Sequence, residues 1–220
     1  MKIALLAASG RAGSTILNEL ISRGHEVIAV VRNLDRLPAD LPASVTRVQA
    51  DLNDQEQIAK IIAGADAVVS AFGPSSSDSR YTTDQSYTDQ LVGVTENAID
   101  AVKKAGIPRL LVVGGAGSLF FSPGVTVLDS GYWPEPYVAI ARSHVKAFAA
   151  LRASEINWTY FSPPMMIDLG ERTGQFRLGG DDVIFDSNGK NWISFEDYAI
   201  ALVDELEKPE HERQRFTIGY

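Results

Sequence analysis

Six apolar runs of strand length recur along the chain: KIALLA (2–7), EVIAVV (26–31), VTRVQA (45–50), DAVVSA (66–71), RLLVVG (109–114) and NWTYFS (157–162). Between most of them the apolar residues change to the spacing of an amphipathic helix, as at Ile16, Leu17, Leu20 and Ile21, and at Leu91, Thr95, Ala98 and Val102. Strands that are apolar throughout and alternate with helices need cover on both faces, which selects a doubly wound parallel sheet in three layers, α/β/α. Gly24 before His25, Gly64, and Gly106 before Pro108 fall where each helix must stop. Residues 192–218 read as a strand, a helix, a charged turn and a closing strand.

At 220 residues and 45% hydrophobic, the chain fits one α/β domain, 1–220, with a small C-terminal substrate-side region. Three stretches interrupt the rhythm: Ser-rich 73–86, aromatic 118–137, and 163–194. All follow strands, and ligands of open α/β sheets bind beyond the carboxyl ends of strands, so these loops are the expected site walls.

A net charge of −8 without a cluster of Lys and Arg argues against nucleic acid or an anionic membrane as partner. The absence of cysteine excludes disulfides, thiolate metal sites and a cysteine nucleophile, and His25, His144 and His211 lack metal-ligand spacing. The first apolar run is too short for a signal segment, and nothing approaches the ~20 apolar residues of a membrane span. The expected setting is the cytoplasm, as a monomer or homodimer.

The first strand runs into ASGRAGS (8–14) and an amphipathic helix. Gly10 at the turn, with Arg11 and Ala12 after it, would bring free backbone N–H groups to a pyrophosphate; Gly13 would let the helix pack close to the strand. The pattern, A-x-x-G-x-x-G with Ala7 in the place of the first glycine, reads as the dinucleotide fingerprint of a Rossmann-type fold; the other reading is a plain strand-to-helix turn. An alanine there is expected to keep φ negative, the tight turn beginning one residue later. The second strand ends in Arg32 and Asn33, where a carboxylate would hold the ribose of NAD. An arginine offers instead a fork for a 2′-phosphate, with Arg11 as a second charge beside it, so NADP(H) is favoured over NAD(H). The other reading of Arg32 is a solvated charge at a strand end.

With VVRN (30–33), QADLND (49–54), SAFGP (70–74), VVGGAGS (112–118), LRASEINWTYFSPP (151–164) and ISFEDYAIALVDELE (193–207), the chain resembles the atypical short-chain dehydrogenase/reductases, in the NmrA-like branch that includes NAD(P)H-flavin reductases. The resemblance implies that Asp51 and Leu52 contact the adenine, and that Ala71, Phe72 and Gly73 line the path of the adjoining ribose and phosphates. It also implies that Gly114, Gly115 and Ser118 approach the nicotinamide ribose, and that Ser162, Pro163 and Pro164 cap the nicotinamide. Asp51 has a second reading as the N-cap of the helix that follows.

The superfamily's Tyr-x-x-x-Lys is absent, with Ile140 at the tyrosine position and His144 at the lysine position. His144 either bonds the ribose or is satisfied by local polar groups. Tyr137, expected on the same helical face, and Ser118 are the remaining candidates for catalysis. Phe120, Phe121, Tyr132 and Trp133 either offer stacking surface or form a satellite core. These residues point to an NADPH-dependent reductase passing hydride to a small-molecule acceptor, a flavin or quinone-like ring. The alternatives are a non-catalytic NADP(H) sensor and an enzyme of the nucleotide-sugar epimerase or dehydratase type.

Overall fold

The computed structural model describes residues 1–220. In chain order its elements are β1 (Lys2–Leu6), α1 (Arg11–Ser22), β2 (Glu26–Val31), β3 (Val45–Gln49), α2 (Gln55–Ile62), β4 (Ala67–Ser70), α3 (Gln85–Thr88), α4 (Gln90–Ala105), β5 (Leu110–Val113), β6 (Phe120–Ser122), β7 (Val125–Thr126), α5 (Val138–Ala153), β8 (Trp158–Ser162), β9 (Met166–Asp168), β10 (Arg177–Gly179), β11 (Trp192–Ser194), α6 (Phe195–Glu207) and β12 (Gln214–Gly219). All six expected strands form. The sheet runs β10-β12-β8-β5-β4-β1-β2-β3, parallel throughout except for β10 on β12. Order reverses between β1 and β4, the switch point at which such sheets open a crevice.

Alternation along each strand divides the core into two layers. Ile3, Leu5, Val69, Phe161 and Phe216 pack under α1 and α6, while Ala4, Leu6, Val68, Val112 and Tyr160 pack under α2, α4 and α5. The two clusters hold 24 and 21 buried residues, so neither face of the sheet is left to solvent. Truncating a fully buried member such as Leu5 to alanine would cost ~2–5 kcal/mol.

Gly24, Gly64 and Gly106 take the left-handed backbone expected of helix stops, with φ of 75°, 78° and 64°. Ala7 does the same at φ 60°, against the expectation of a negative φ. The turn begins on Ala7 itself, held by two bonds: Ala8 N–H donates to Val30 O at 3.2 Å, and Gly10 N–H donates back to Ala7 O at 3.1 Å. The 163–194 segment is not an irregular loop. β9 pairs with β11 in a separate two-stranded sheet, and β10 extends the main one. No helix is long and apolar enough to cross a membrane.

Candidate functional site

Parallel strands put the carboxyl ends of β1, β2, β4, β5 and β8 along one edge. The segments 7–13, 32–33, 71–73, 114–118 and 162–164 therefore follow that edge, where ligands of open α/β sheets bind.

The first wall is the amino end of α1. Gly10 is its N-cap, with no side-chain cap and no acid in the first turn, and the N–H groups of Arg11, Ala12 and Gly13 donate to nothing in the protein. By contrast, Asp54 caps α2 by accepting from Gln57 N–H at 2.9 Å, and Ser194 caps α6 by accepting from Asp197 N–H at 3.0 Å. The uncapped helix has open donors and the positive end of its dipole aimed outward, suited to an anion. Gly10 has φ −74° and a Cβ there would meet only Ala7 O at 3.5 Å, so the fold itself does not require a glycine. Gly73 likewise faces open space.

Arg32 is exposed and its guanidinium has no hydrogen-bond or ion-pair partner. Asn33 is committed locally, accepting from Asp35 N–H at 3.0 Å to cap a short turn. Arg11 departs from expectation. It pairs with Asp168 of β9 and lies 5.2 Å from the Phe195 ring, tying the glycine loop to the substrate-side segment rather than doubling the charge beside Arg32.

Asp51 is exposed and accepts from Asn53 N–H and Nδ2 at 3.0 and 2.8 Å, a local turn; the N-cap of α2 is Asp54, not Asp51. Half-buried Leu52 packs on the α2–α4 layer, and its carbonyl accepts from Asn97 Nδ2 at 3.2 Å. Buried Ala71 continues the β4 ladder through its N–H to Leu6 O at 3.1 Å. Phe72 turns into a small apolar cluster of Leu91, Ile140 and Ala147, joined by Tyr81.

Gly114 and Gly115 are glycines because of close packing. A Cβ on Gly114 would stand 2.6 Å from the Tyr160 ring, and one on Gly115 2.6 Å from the His144 imidazole. That contact sets His144 against the loop after β5. Tyr160, a residue the sequence reading passed over, completes the arrangement. It accepts from Gly115 N–H at 3.1 Å, donates to His144 O at 3.1 Å, and stands 3.4 Å from His144 Nδ1. Tyr160 thus lies along the Nδ1 edge of the imidazole, and Nε2 has no hydrogen-bond partner in the protein. Burial pulls the imidazolium down to about 4, so His144 is neutral at pH 7. Burial also raises the Tyr160 phenol well above its ordinary range.

The three candidates for catalysis are not joined by any hydrogen bond. Ser118 accepts through both Oγ and its carbonyl from Arg215 Nη1, at 2.8 and 3.0 Å, a fastening of its loop to β12. Tyr137 precedes α5 instead of sharing its face, is exposed, and meets Tyr81 edge-on with centroids 6.4 Å apart. Ile140 is buried and supplies no proton. Phe121 and Trp133 pack on Ala116, Leu119 and Val127, which settles them as a satellite core, with Tyr132 stacked outside on Phe121. Ser162, Pro163 and Pro164 are buried at the end of β8, and Ser162 Oγ has no partner.

The model of a family described as NAD(P)H-binding matches residues 7–209. The uncharacterised protein YwnB of Bacillus subtilis is 38% identical over 222 residues, covering 99% of this chain and 98% of that one. Among solved structures, a candidate epimerase from Bacteroides thetaiotaomicron is similar at a TM-score of 0.89 and 42% identity, over 100% of this chain and 96% of that chain. A candidate NADH-flavin reductase from Streptococcus pneumoniae is similar at a TM-score of 0.84 and 34% identity, over 100% and 99%.

Proposed function

The chain belongs to the NAD(P)H-binding family, and from that premise we propose that it is an NADPH-dependent reductase of the flavin-reductase type, its acceptor a flavin or quinone-like ring. The observation that carries the reading is the uncapped amino end of α1, where no side chain on Gly10 covers three free N–H groups, with unpaired Arg32 at the end of the neighbouring strand. The residues present fit a dinucleotide. Arg11, Ala12 and Gly13 would receive the pyrophosphate on their N–H groups, and Arg32 would hold a 2′-phosphate.

Bound NADPH supplies hydride chemistry; the protein's part is to orient the nicotinamide and exclude competing reactions. His144, neutral and with Nε2 unengaged, would accept a ribose hydroxyl. Because Ile140 offers no acid, the acceptor best suited to the crevice is one whose reduced form takes its proton from water. The name carried by the Streptococcus pneumoniae relative agrees with that choice.

Nucleotide-sugar epimerisation is less well supported, because it needs a base where Ile140 stands. A second reading, a cofactor-binding sensor without turnover, draws on the same residue. The two separate in a steady-state assay of NADPH oxidation against a panel of free flavins and quinones, with protein-free controls. The reductase reading expects turnover with at least one conjugated ring and none with a simple ketone. We place this activity in the cytoplasm.

A further inference from the structure

The chain has seven tyrosines. Four spend their hydroxyls inside the protein: Tyr87 on Ser75 O, Tyr160 on His144 O, Tyr198 on Phe161 O, and Tyr220 on Ser194 and Asp197. Tyr132 and Tyr137 are free but largely exposed, at 69% and 47%. Tyr81 differs from both groups. It is half-buried, its hydroxyl bonds to nothing in the protein, and that oxygen is not among the sealed polar atoms. Its ring packs against the cluster of Leu91, Ile140 and Ala147, beside Phe72, with Tyr137 edge-on. A phenol from the segment after β4 is therefore packed on the small cluster that contains Ile140, the residue that stands where the superfamily carries its tyrosine.

We infer that Tyr81 is the hydrogen-bond donor to a carbonyl oxygen of the acceptor ring, and that this site accordingly takes quinones. The inference rests on the reductase reading and deepens it. As hydride reaches a quinone, charge gathers on the carbonyl oxygen, and a donor fixed against that oxygen favours the change more than it favours the starting state. Burial raises the Tyr81 phenol above its ordinary value, with Tyr137 adding to the shift and nearby Arg11 opposing it. Without a lysine to lower it, the phenol holds its proton, so Tyr81 orients and polarises the oxygen while water at the open mouth completes protonation.

The probe is 1,4-naphthoquinone, bound to the protein with and without NADP⁺ so that no reduction occurs. Infrared difference spectra of the bound quinone should show a carbonyl stretch lowered by hydrogen bonding. Tyr81→Phe, which removes one oxygen and no packing, should return that stretch to the unbonded position and weaken binding ~10-fold; Tyr137→Phe should change neither. An unaltered stretch and affinity in Tyr81→Phe would overturn the inference, as would a wild-type protein that does not bind the quinone. Tyr81-dependent binding without NADPH oxidation would support this contact while removing the reductase reading. Unchanged spectra in Tyr81→Phe with normal turnover would do the reverse.

Discussion

A Cβ on Gly13 would stand 2.2 Å from the carbonyl oxygen of Ala7, so the first turn of α1 rests directly on the strand end that precedes it. Ala7 is held at φ 60° by the same turn, a conformation that costs an L-residue with a Cβ ~1–2 kcal/mol. Ala7→Gly should therefore raise stability by about 0.5–1 kcal/mol once the extra freedom of the unfolded chain is deducted. Gly13→Ala should lower it by ~3 kcal/mol, because the neighbour is backbone and cannot yield. Urea midpoints of the two variants check both signs.

Gly10 lies three residues from Gly13 and answers to a different constraint. A Cβ there meets only Ala7 O at 3.5 Å, so Gly10→Val should fold with a loss of about 1 kcal/mol at the N-cap yet lose NADPH binding, its branched side chain filling the space before the free N–H groups. Thermal melting alongside calorimetric titration separates the two effects. Retained affinity in a folded Gly10→Val protein would remove α1 from the cofactor site.

Arg32, exposed and unpaired, is expected to set the choice of cofactor. NADPH should bind more tightly than NADH, and Arg32→Glu should erase the preference by removing a charge-assisted contact worth ~1.5–3 kcal/mol. The pairing of Arg11 with Asp168 makes this sharper, since it leaves Arg32 without a second guanidinium to compensate. Calorimetry on both proteins with both cofactors measures it. Equal affinities in the wild type would contradict the assignment.

His144 should leave a signature in the dependence of stability on pH. Its folded value, about 4, lies below the 6.5 of the free side chain, so between these values the unfolded chain binds more protons than the folded one. This contribution is fully present above pH 6.5 and is lost as pH falls towards 4. His144→Gln should flatten the stability profile within that window and leave it parallel to wild type at higher pH. Denaturant melts every half unit of pH provide the comparison. An unchanged slope would mean that His144 is solvated.

The strands and the crevice were legible because their signals are local: a strand buried on both faces is apolar throughout, and a glycine loop between strand and helix marks the anion end of that helix. The short strands β9 and β10 were not, since three half-exposed residues carry no alternation. Contacts between distant segments left no trace in the sequence either. Arg11 and Asp168 are 157 positions apart, and only the fold shows that the guanidinium turns towards β9 instead of β2. Tyr160 sits within LRASEINWTYFSPP, yet its bond to His144 depends on α5 lying across β8. Ile140 was read as the loss of a tyrosine, and what the chain sets beside it, Tyr81, became visible only in three dimensions.

The central claim is that this crevice holds NADPH and delivers its hydride to a conjugated ring. The most direct measurement is single-turnover stopped-flow mixing of NADPH-loaded protein with FMN or 1,4-naphthoquinone under anaerobic conditions, following the nicotinamide absorbance. The account predicts an exponential loss of that absorbance faster than in the protein-free control, saturating with acceptor concentration and absent in Gly10→Val. Tight NADPH binding with no loss of absorbance beyond the control, for either acceptor, would contradict it and leave a protein that binds the cofactor without using it.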